Sequence, residues 1–589
     1  MYLEKINGPA DVKALNSPER TVLAAEMRTA LIQKLSHHGG HCGPNLGLVE
    51  ATIALHTVFD SPKDRFVFDV SHQTYPHKML TGRSYGFLDP ARYDDITGYS
   101  APQESAHDPF TLGHTSTSVS LACGLAKARD AKGEHHNVVA IIGDGSLSGG
   151  EALEGLDLAG EMDSNLIIVV NDNGMSIAEN HGGIYKNLEL LRQTGGKAEC
   201  NLFRAMGLDY VFQPEGNNTD ALIETFQQVK GCDHPVVVHI VTEKGKGYAP
   251  AETHKENWHW CMPFDPKTGE STVHFEGEDY GDLTARYLLE EMQKDPKVVA
   301  ITSGTPTVFG FTEDLRKQAG KQFMDVGIAE EHAVTFATAL ARSGAKPVFG
   351  VYGTFLQRAY DELWHDLCLN DAPATILVFG ASIFGTTSET HLSFFDISML
   401  GGLPNMHYLA PACMEEYLSM LSWSLDHREH PAAIRVPGIG LVSRPDLAPA
   451  EDTDYSAVRY NVVRQGRDVA VLALGDFFEL GERVANRLAA EYGIEATLVN
   501  PRFATELDRE FLDSLAAEHR VVVTLEDGIL DGGWGERVAC YLACTPVRTR
   551  TFGIAKGFPD RYDPNELLAQ NGMTVENMAA EAARLLKQR

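Results

Sequence analysis

The chain has 589 residues, with 43% hydrophobic and 22% charged side chains, ordinary globular usage that speaks against a fibrous or globally disordered protein. Its formal net charge of −31 leaves no basic excess to neutralise phosphates, so neither nucleic acid nor an anionic membrane surface is an expected partner. The length exceeds what one hydrophobic core supports, and several domains are expected.

The opening residues, MYLEKINGPADVKALN, lack the apolar stretch of a signal peptide. No window approaches the ~20 apolar residues of a bilayer span. Nine scattered cysteines with no Cys-x-x-Cys pair read as reduced core residues, which places the protein in the cytoplasm. Apolar runs of strand length then alternate with amphipathic stretches, the βαβ rhythm of parallel sheets. Strands are expected at 137–142 (NVVAII), 165–170 (NLIIVV) and 235–241 (PVVVHIV), with a helix over 148–160. A polar, Gly- and Pro-bearing stretch at 251–282 reads as an interdomain connection. A second α/β unit follows, with strands at 297–301, 347–351 and 374–379 and a helix over 333–342. A Pro- and acid-rich linker at 444–454 leads to strands at 468–474, 495–499 and 520–524 and a closing helix over 575–587. The expected fold class is α/β, three doubly wound domains in series, bounded at 1–270, 271–450 and 451–589.

Two triplets carry chemistry: Gly143-Asp144-Gly145 and Asn171-Asp172-Asn173. Alone, each is an ordinary tight turn. As a pair, each follows an expected strand, at the carboxyl end where open α/β sheets bind ligands. Gly143 and Gly145 let the backbone approach a phosphate, and the helix that follows offers N–H donors. Asp144 and Asn173 supply hard oxygen ligands that, with diphosphate oxygens and water, suit Mg²⁺. His37, His38, His41 and Cys42 fit no usual structural zinc spacing, and His37 and His38 read as satisfied polar groups. Residues 475–481 (GDFFELG) fail the G-x-G-x-x-G geometry, which sets aside a nicotinamide dehydrogenase.

The two triplets resemble the thiamine-diphosphate signature of the transketolase superfamily. Further segments narrow the resemblance to the 1-deoxy-D-xylulose-5-phosphate synthase branch: GGHCGPNLGLVE (39–50), FDVSHQTYPHKMLTGR (68–83), GHTSTS (113–118), NDNGMSIAEN (171–180), EKGKGYAPAE (243–252), DVGIAEEHAVTFATALA (325–341) and YGTFLQRAYDE (352–362). It runs almost end to end, weakest over 180–235 and the C-terminal domain. The resemblance implies three transketolase-type domains: a diphosphate/Mg-binding domain, a pyrimidine-binding domain and a smaller C-terminal one. It also implies a homodimer, and an enzyme that decarboxylates pyruvate and joins the two-carbon unit to glyceraldehyde 3-phosphate, feeding isoprenoid and vitamin precursors. By the same resemblance, Asp144, Asn173 and the Met175 carbonyl would hold magnesium. His72, Gly113, His114, Thr115, Gly145, Ser146, Asn173 and Tyr248 would contact thiamine diphosphate. Glu330 would hydrogen-bond its aminopyrimidine ring, where a carboxyl controls the ring tautomer. His41, His259 and His391 would act on substrate oxygens, and Tyr352 and Arg358 would touch substrate.

The chain departs from the family at the acceptor end. The family's Asp-Arg-Ala-Gly reads Phe379-Gly380-Ala381-Ser382, and its Arg-Tyr-Pro-Arg-Gly reads Arg435-Val436-Pro437-Gly438-Ile439. Two phosphate-binding arginines are thus replaced by Gly380 and Gly438. The family's Asp-Gly-Gln-Thr-His reads Thr387-Ser388-Glu389-Thr390-His391, which loses an aspartate. Each lost charged hydrogen bond is worth ~1.5–3 kcal/mol. Arg358 and Arg435 are expected as partial substitutes. The expectation is an intact donor half and an altered acceptor half, with a different aldehyde that need not carry a phosphate; a paralogue using another ketol donor and a catalytically silent relative are further alternatives.

Overall fold

The computed structural model describes residues 1–274 and 277–588. Residues 275 and 276, inside the expected connection, and residue 589, at the end of the third expected domain, lie outside the described residues. The chain forms two compact units, Met1–Glu276 with Gly327–Ala329 and Gly277–Val326 with Glu330–Arg589.

The first unit holds a five-stranded sheet: β1 (Arg65–Phe68), β2 (Val138–Gly143), β3 (Ile167–Asp172), β4 (Asp209–Gln213) and β5 (Val236–Val241). The strand order is β1-β2-β3-β5-β4, parallel throughout. Every residue of β3, and all of β2 but its last glycine, is buried, as expected of strands covered on both faces. The helices used below are α1 (Ser17–His38), α2 (Ser118–Ala131), α3 (Gly150–Glu161) and α4 (Gly183–Gln193). A capping box starts α1: Asn16 accepts from the Glu19 N–H and Glu19 from that of Asn16. The α3 crossover joins β2 to β3, which lie side by side with Gly143 opposite Asn171. The two triplets therefore end adjacent strands. The stretch read as an interdomain connection is in part core: Trp258, Cys261 and Phe264 are buried with Tyr248 and Cys42 in one apolar cluster.

The second unit carries two sheets. One contains β6 (Val298–Thr302), β7 (Phe323–Asp325), β8 (Lys346–Tyr352), β9 (Thr375–Phe379), β10 (His407–Leu409) and β11 (Ala432–Arg435), in the parallel order β10-β11-β9-β8-β6-β7. The other contains β12 (Asn461–Arg464), β13 (Asp468–Ala473), β14 (Thr497–Asn500), β15 (His519–Ile529) and β16 (Arg548–Ile554), in the order β12-β14-β13-β15-β16. Only its edge strand β12 pairs antiparallel, with β14. Helix α5 (Glu330–Arg342) begins one turn earlier than its apolar pattern suggests, and α6 (Val575–Lys587) matches its expected span. All nine cysteines are free thiols; Cys200, Cys540 and Cys544 are exposed rather than in the core. Among the described residues no helix is long and apolar enough to cross a membrane.

Candidate active site

In the first unit the candidate residues gather at the carboxyl ends of β1, β2, β3 and β5. After β1 the chain turns sharply, with Val70 at φ 59° and Ser71 at φ 68°. Each such residue stores ~1–3 kcal/mol and persists only where its surroundings over-determine it. Here they do: the buried Asp69 carboxylate accepts from the N–H groups of Ser116 (2.8 Å) and Ser118 (3.0 Å). The Ser71 hydroxyl donates to the Leu112 carbonyl. These bonds fasten the loop carrying Gly113, His114 and Thr115 beside His72, ahead of α2. Ser116 then donates to the Ser146 carbonyl, which joins that loop to the first triplet. Asn45 donates to the carbonyls of both His41 and His72, at 2.8 Å each.

Asp144 sits just past β2 and Asn173 just past β3. Burial, with Asp172 nearby, pushes the Asp144 carboxyl up to about 7, and Asn180 donates to it at 2.8 Å. Asn173 accepts from the Met175 N–H at 3.2 Å, which fixes the turn that places the Met175 carbonyl. The middle residue of the second triplet does different work. Asp172 is fully buried and accepts from His239 (2.8 Å) and Arg192 of α4 (2.5 Å); against the upward push of burial they hold its pKa down. Tyr185, also on α4, donates to the Gly145 carbonyl. A Cβ on Gly145 would lie 2.7 Å from the Ser176 hydroxyl, so the loop requires glycine. Among the described residues no group of three or more His, Cys, Asp or Glu side chains is arranged to hold a metal ion. A cation here depends on one carboxylate together with amide, carbonyl and ligand oxygens, the donor set Mg²⁺ takes beside phosphates.

His41, His72 and His259 form a triangle of rings, with centroids 4.9 Å (His41–His72), 5.6 Å (His41–His259) and 5.2 Å (His72–His259) apart. Burial holds His41 and His259 well below the usual imidazole range, reinforced for both by His72 and Lys244. Both rings are therefore neutral near pH 7. Lys244, which sequence reasoning did not single out, is 2% exposed and donates to the Ser176 carbonyl at 2.5 Å. Burial lowers its pKa to about 8, opposed by Asp144. Its segment, EKGKGY, was visible; which lysine lies inside depends on the fold. Tyr248 packs its ring on Trp258 at 5.0 Å, while its buried hydroxyl has no hydrogen-bond partner. His37 and His38 end α1 on the surface, bonded to the Gln33 carbonyl and to Asp94.

In the second unit Glu330 opens α5. It is 3% exposed, its Oε2 has no hydrogen-bond partner, and burial pushes its carboxyl up to about 7 despite the nearby Arg358 guanidinium. Tyr352 ends β8 and packs edge-on against Phe355 (5.9 Å), which packs against His391 (5.7 Å). Thr390 bonds His391 Nδ1 at 2.8 Å. The structure thus brings Glu330 near Arg358 and links Tyr352 to His391 through one ring.

The acceptor end departs further than the sequence suggested. Arg435 is no substitute for the missing arginines: it is 3% exposed, clamped by Asp396 (2.8 Å) and by Asp527. Asp527 also accepts from Ser382 at 2.7 Å, and Asp476 accepts from the Gly438 N–H at 2.8 Å. Burial and the neighbouring Asp527 push Asp476 up to about 7. A Cβ on Gly438 would fall 2.4 Å from that of Ser382, so no larger side chain fits on this backbone.

In the first unit, a high-pKa carboxyl beside amide and carbonyl oxygens and a buried lysine form a donor set that suits a magnesium-bound diphosphate; in the second unit, Glu330 keeps a buried carboxyl oxygen with no protein partner. Comparison with known proteins gives a convergent picture. A family model described as 1-deoxy-D-xylulose-5-phosphate synthase matches residues 3–199 and 194–242. Models of the transketolase pyrimidine-binding and C-terminal domains match residues 277–440 and 459–578. 1-Deoxy-D-xylulose-5-phosphate synthase 1 of Geobacter sulfurreducens is 39% identical, over 98% of this chain and 96% of its own length. The synthase of Symbiobacterium thermophilum is also 39% identical, over 100% of this chain and 95% of its own. Among solved structures, a transketolase from Pichia stipitis aligns over 97% of this chain and 98% of its own at 15% identity, with a TM-score of 0.46.

Proposed function

This chain belongs to the 1-deoxy-D-xylulose-5-phosphate synthase family, a branch of the thiamine-diphosphate-dependent transketolase-type transferases, and on that premise we propose that it decarboxylates pyruvate and transfers the two-carbon unit to an aldehyde. The observation that carries the reading is Glu330, whose Oε2 is buried without a protein partner on a carboxyl poised near neutrality. A carboxyl in that state exchanges a proton at little cost at pH 7. Asp144, Asn173 and the Met175 carbonyl would hold Mg²⁺ with the coenzyme's diphosphate, and Lys244 would offset its remaining charge. His72, Gly113, His114, Thr115, Gly145 and Ser146 would line the diphosphate end, with Tyr248 beside it. Once bound, thiamine diphosphate supplies the carbanion chemistry that side chains cannot. The neutral His41 and His259, with His391, would pass protons to and from substrate oxygens. Tyr352 and Arg358 would contact substrate. The family also suggests a cytoplasmic homodimer serving isoprenoid and thiamine precursor synthesis.

Two measurements test this. Calorimetric titration with thiamine diphosphate should show Mg²⁺-dependent binding, and the loaded protein should release CO₂ from pyruvate; no binding in excess Mg²⁺ would overturn the assignment.

A second reading concerns the acceptor. With Arg435 engaged by Asp396 and Asp527, and Asp476 bonded at Gly438, carboxyl groups rather than a free guanidinium stand at this end. A phosphate dianion is poorly matched to it. At fixed pyruvate, unphosphorylated aldehydes should equal or exceed glyceraldehyde 3-phosphate in kcat/KM. A preference of 100-fold or more for the phosphorylated aldehyde would sink this second reading alone.

A further inference from the structure

A buried charged network in the first unit has no role in the chemistry above. Lys78 and Arg83 both donate to Glu104, at 2.5 and 3.0 Å. Arg83 also donates to Asp108 at 2.7 Å, and His77 Nε2 bonds Asp108 at 3.0 Å. His77 Nδ1 in turn meets His56 Nε2 at 2.9 Å. Lys78, Arg83, His77 and Asp108 are all buried, so each charge depends on its partners.

The two carboxylates also hold backbone. Glu104 accepts from the Thr97 N–H at 2.5 Å, and Asp108 from the Ala101 N–H at 2.9 Å. Between these anchors, the Thr97 hydroxyl donates to the Tyr99 carbonyl (2.8 Å) and the Ser100 N–H to Ser71 (2.8 Å). Tyr99 is thus fixed on both sides, and its ring stands edge-on to His41 with centroids 5.9 Å apart. Tyr99 is thereby a third ring packed against His41, beside His72 and His259.

We propose that Glu104 and Asp108 are positioning residues, which clamp the 97–101 segment so that Tyr99 walls in and orients His41. The inference rests on the reading of His41 as an active-site group. Against the upward push of burial, His77 and Arg83 keep Asp108 well below the ordinary aspartate range. The groups beside His41 are His72, His259, Lys244 and Tyr99; burial is the largest cause that keeps its ring neutral, and Tyr99 is one of the side chains packed against it.

The test uses the full-length protein loaded with thiamine diphosphate and Mg²⁺, with CO₂ release from pyruvate as the assay and thermal midpoints recorded in parallel. Glu104→Gln, which keeps shape and removes charge, should lower kcat ten- to a hundredfold with KM for pyruvate within threefold. The acid limb of the pH profile should move toward pH 6.5 as water reaches His41. Tyr99→Ala should do the same, Tyr99→Phe should retain several-fold more kcat, and the Glu104→Gln/Tyr99→Ala double variant should lose no more than the worse single. If Glu104→Gln does not fold, Thr97→Val, which removes the hydroxyl's bond to the Tyr99 carbonyl and the one it accepts from Lys78 while leaving both carboxylates in place, takes its place with a smaller loss. Multiplying losses, or an unmoved pH limb, would overturn the proposal. Wild-type protein that binds no coenzyme would overturn the functional reading instead.

Discussion

Glu330→Gln should abolish turnover and stabilise the coenzyme-free protein. Acid–base groups of this kind contribute ~10²–10⁴ in rate, and an amide cannot exchange the proton. Its effect on stability has the opposite sign. The Glu330 carboxyl, ordinarily near 4.5, is raised to about 7 by burial. The native state then binds this proton more tightly than the unfolded chain, so stability is greatest at low pH and declines as pH rises from 4.5 to 7. Above that window the penalty is ~3 kcal/mol, since each tenfold difference in proton affinity is worth ~1.4 kcal/mol. Glutamine removes it. Urea unfolding of the coenzyme-free variant should show a gain at pH 8 that fades toward pH 5, with at least a hundredfold loss of CO₂ release. Wild-type turnover in the variant would remove Glu330 from the mechanism, and a stability change independent of pH would show that its burial is not what raises it.

Arg435→Met should be the most destabilising single change at the acceptor end. The guanidinium neutralises Asp396 and Asp527, both buried, with Asp476 close by. Removing one partner of a buried ion pair costs ~3–5 kcal/mol, because the remaining charges have no water to turn to. That is roughly 6–20 °C in Tm for the second unit at the usual ~2–4 °C per kcal/mol. The deficit should shrink as pH falls, since protonation discharges the stranded carboxylates, and Asp527→Asn added to the variant should recover part of it. A loss below ~1 kcal/mol at pH 8 would mean that water reaches the cluster.

Much of this was legible in the sequence where burial is continuous. The runs 137–142, 165–170 and 374–379 stand out because strands covered on both faces are apolar without alternation. Strands β1, β7 and β10 passed unnoticed: three or four residues carry no period. β4 is only partly buried and reads as polar. At the site, each triplet alone is an ordinary turn; the pair was visible because both follow continuous apolar runs at a βαβ separation. Partnerships were not. Asp172 meets His239 67 residues away, and Arg435 meets Asp527 92 residues away, separations no local pattern encodes. For the same reason Arg435 looked available for an anion when the fold had already engaged it.

The saturation of Asp172 has a consequence for how the pocket fills. With that carboxylate committed to His239 of β5 and Arg192 of α4, a dication at the two triplets would find one carboxyl there not so committed, Asp144. Under the proposed function, a diphosphate arriving alone would meet that carboxyl as well as Lys244, and metal and diphosphate bound together would each raise the affinity of the other by the same factor. The first unit would then act as a coincidence detector for the two.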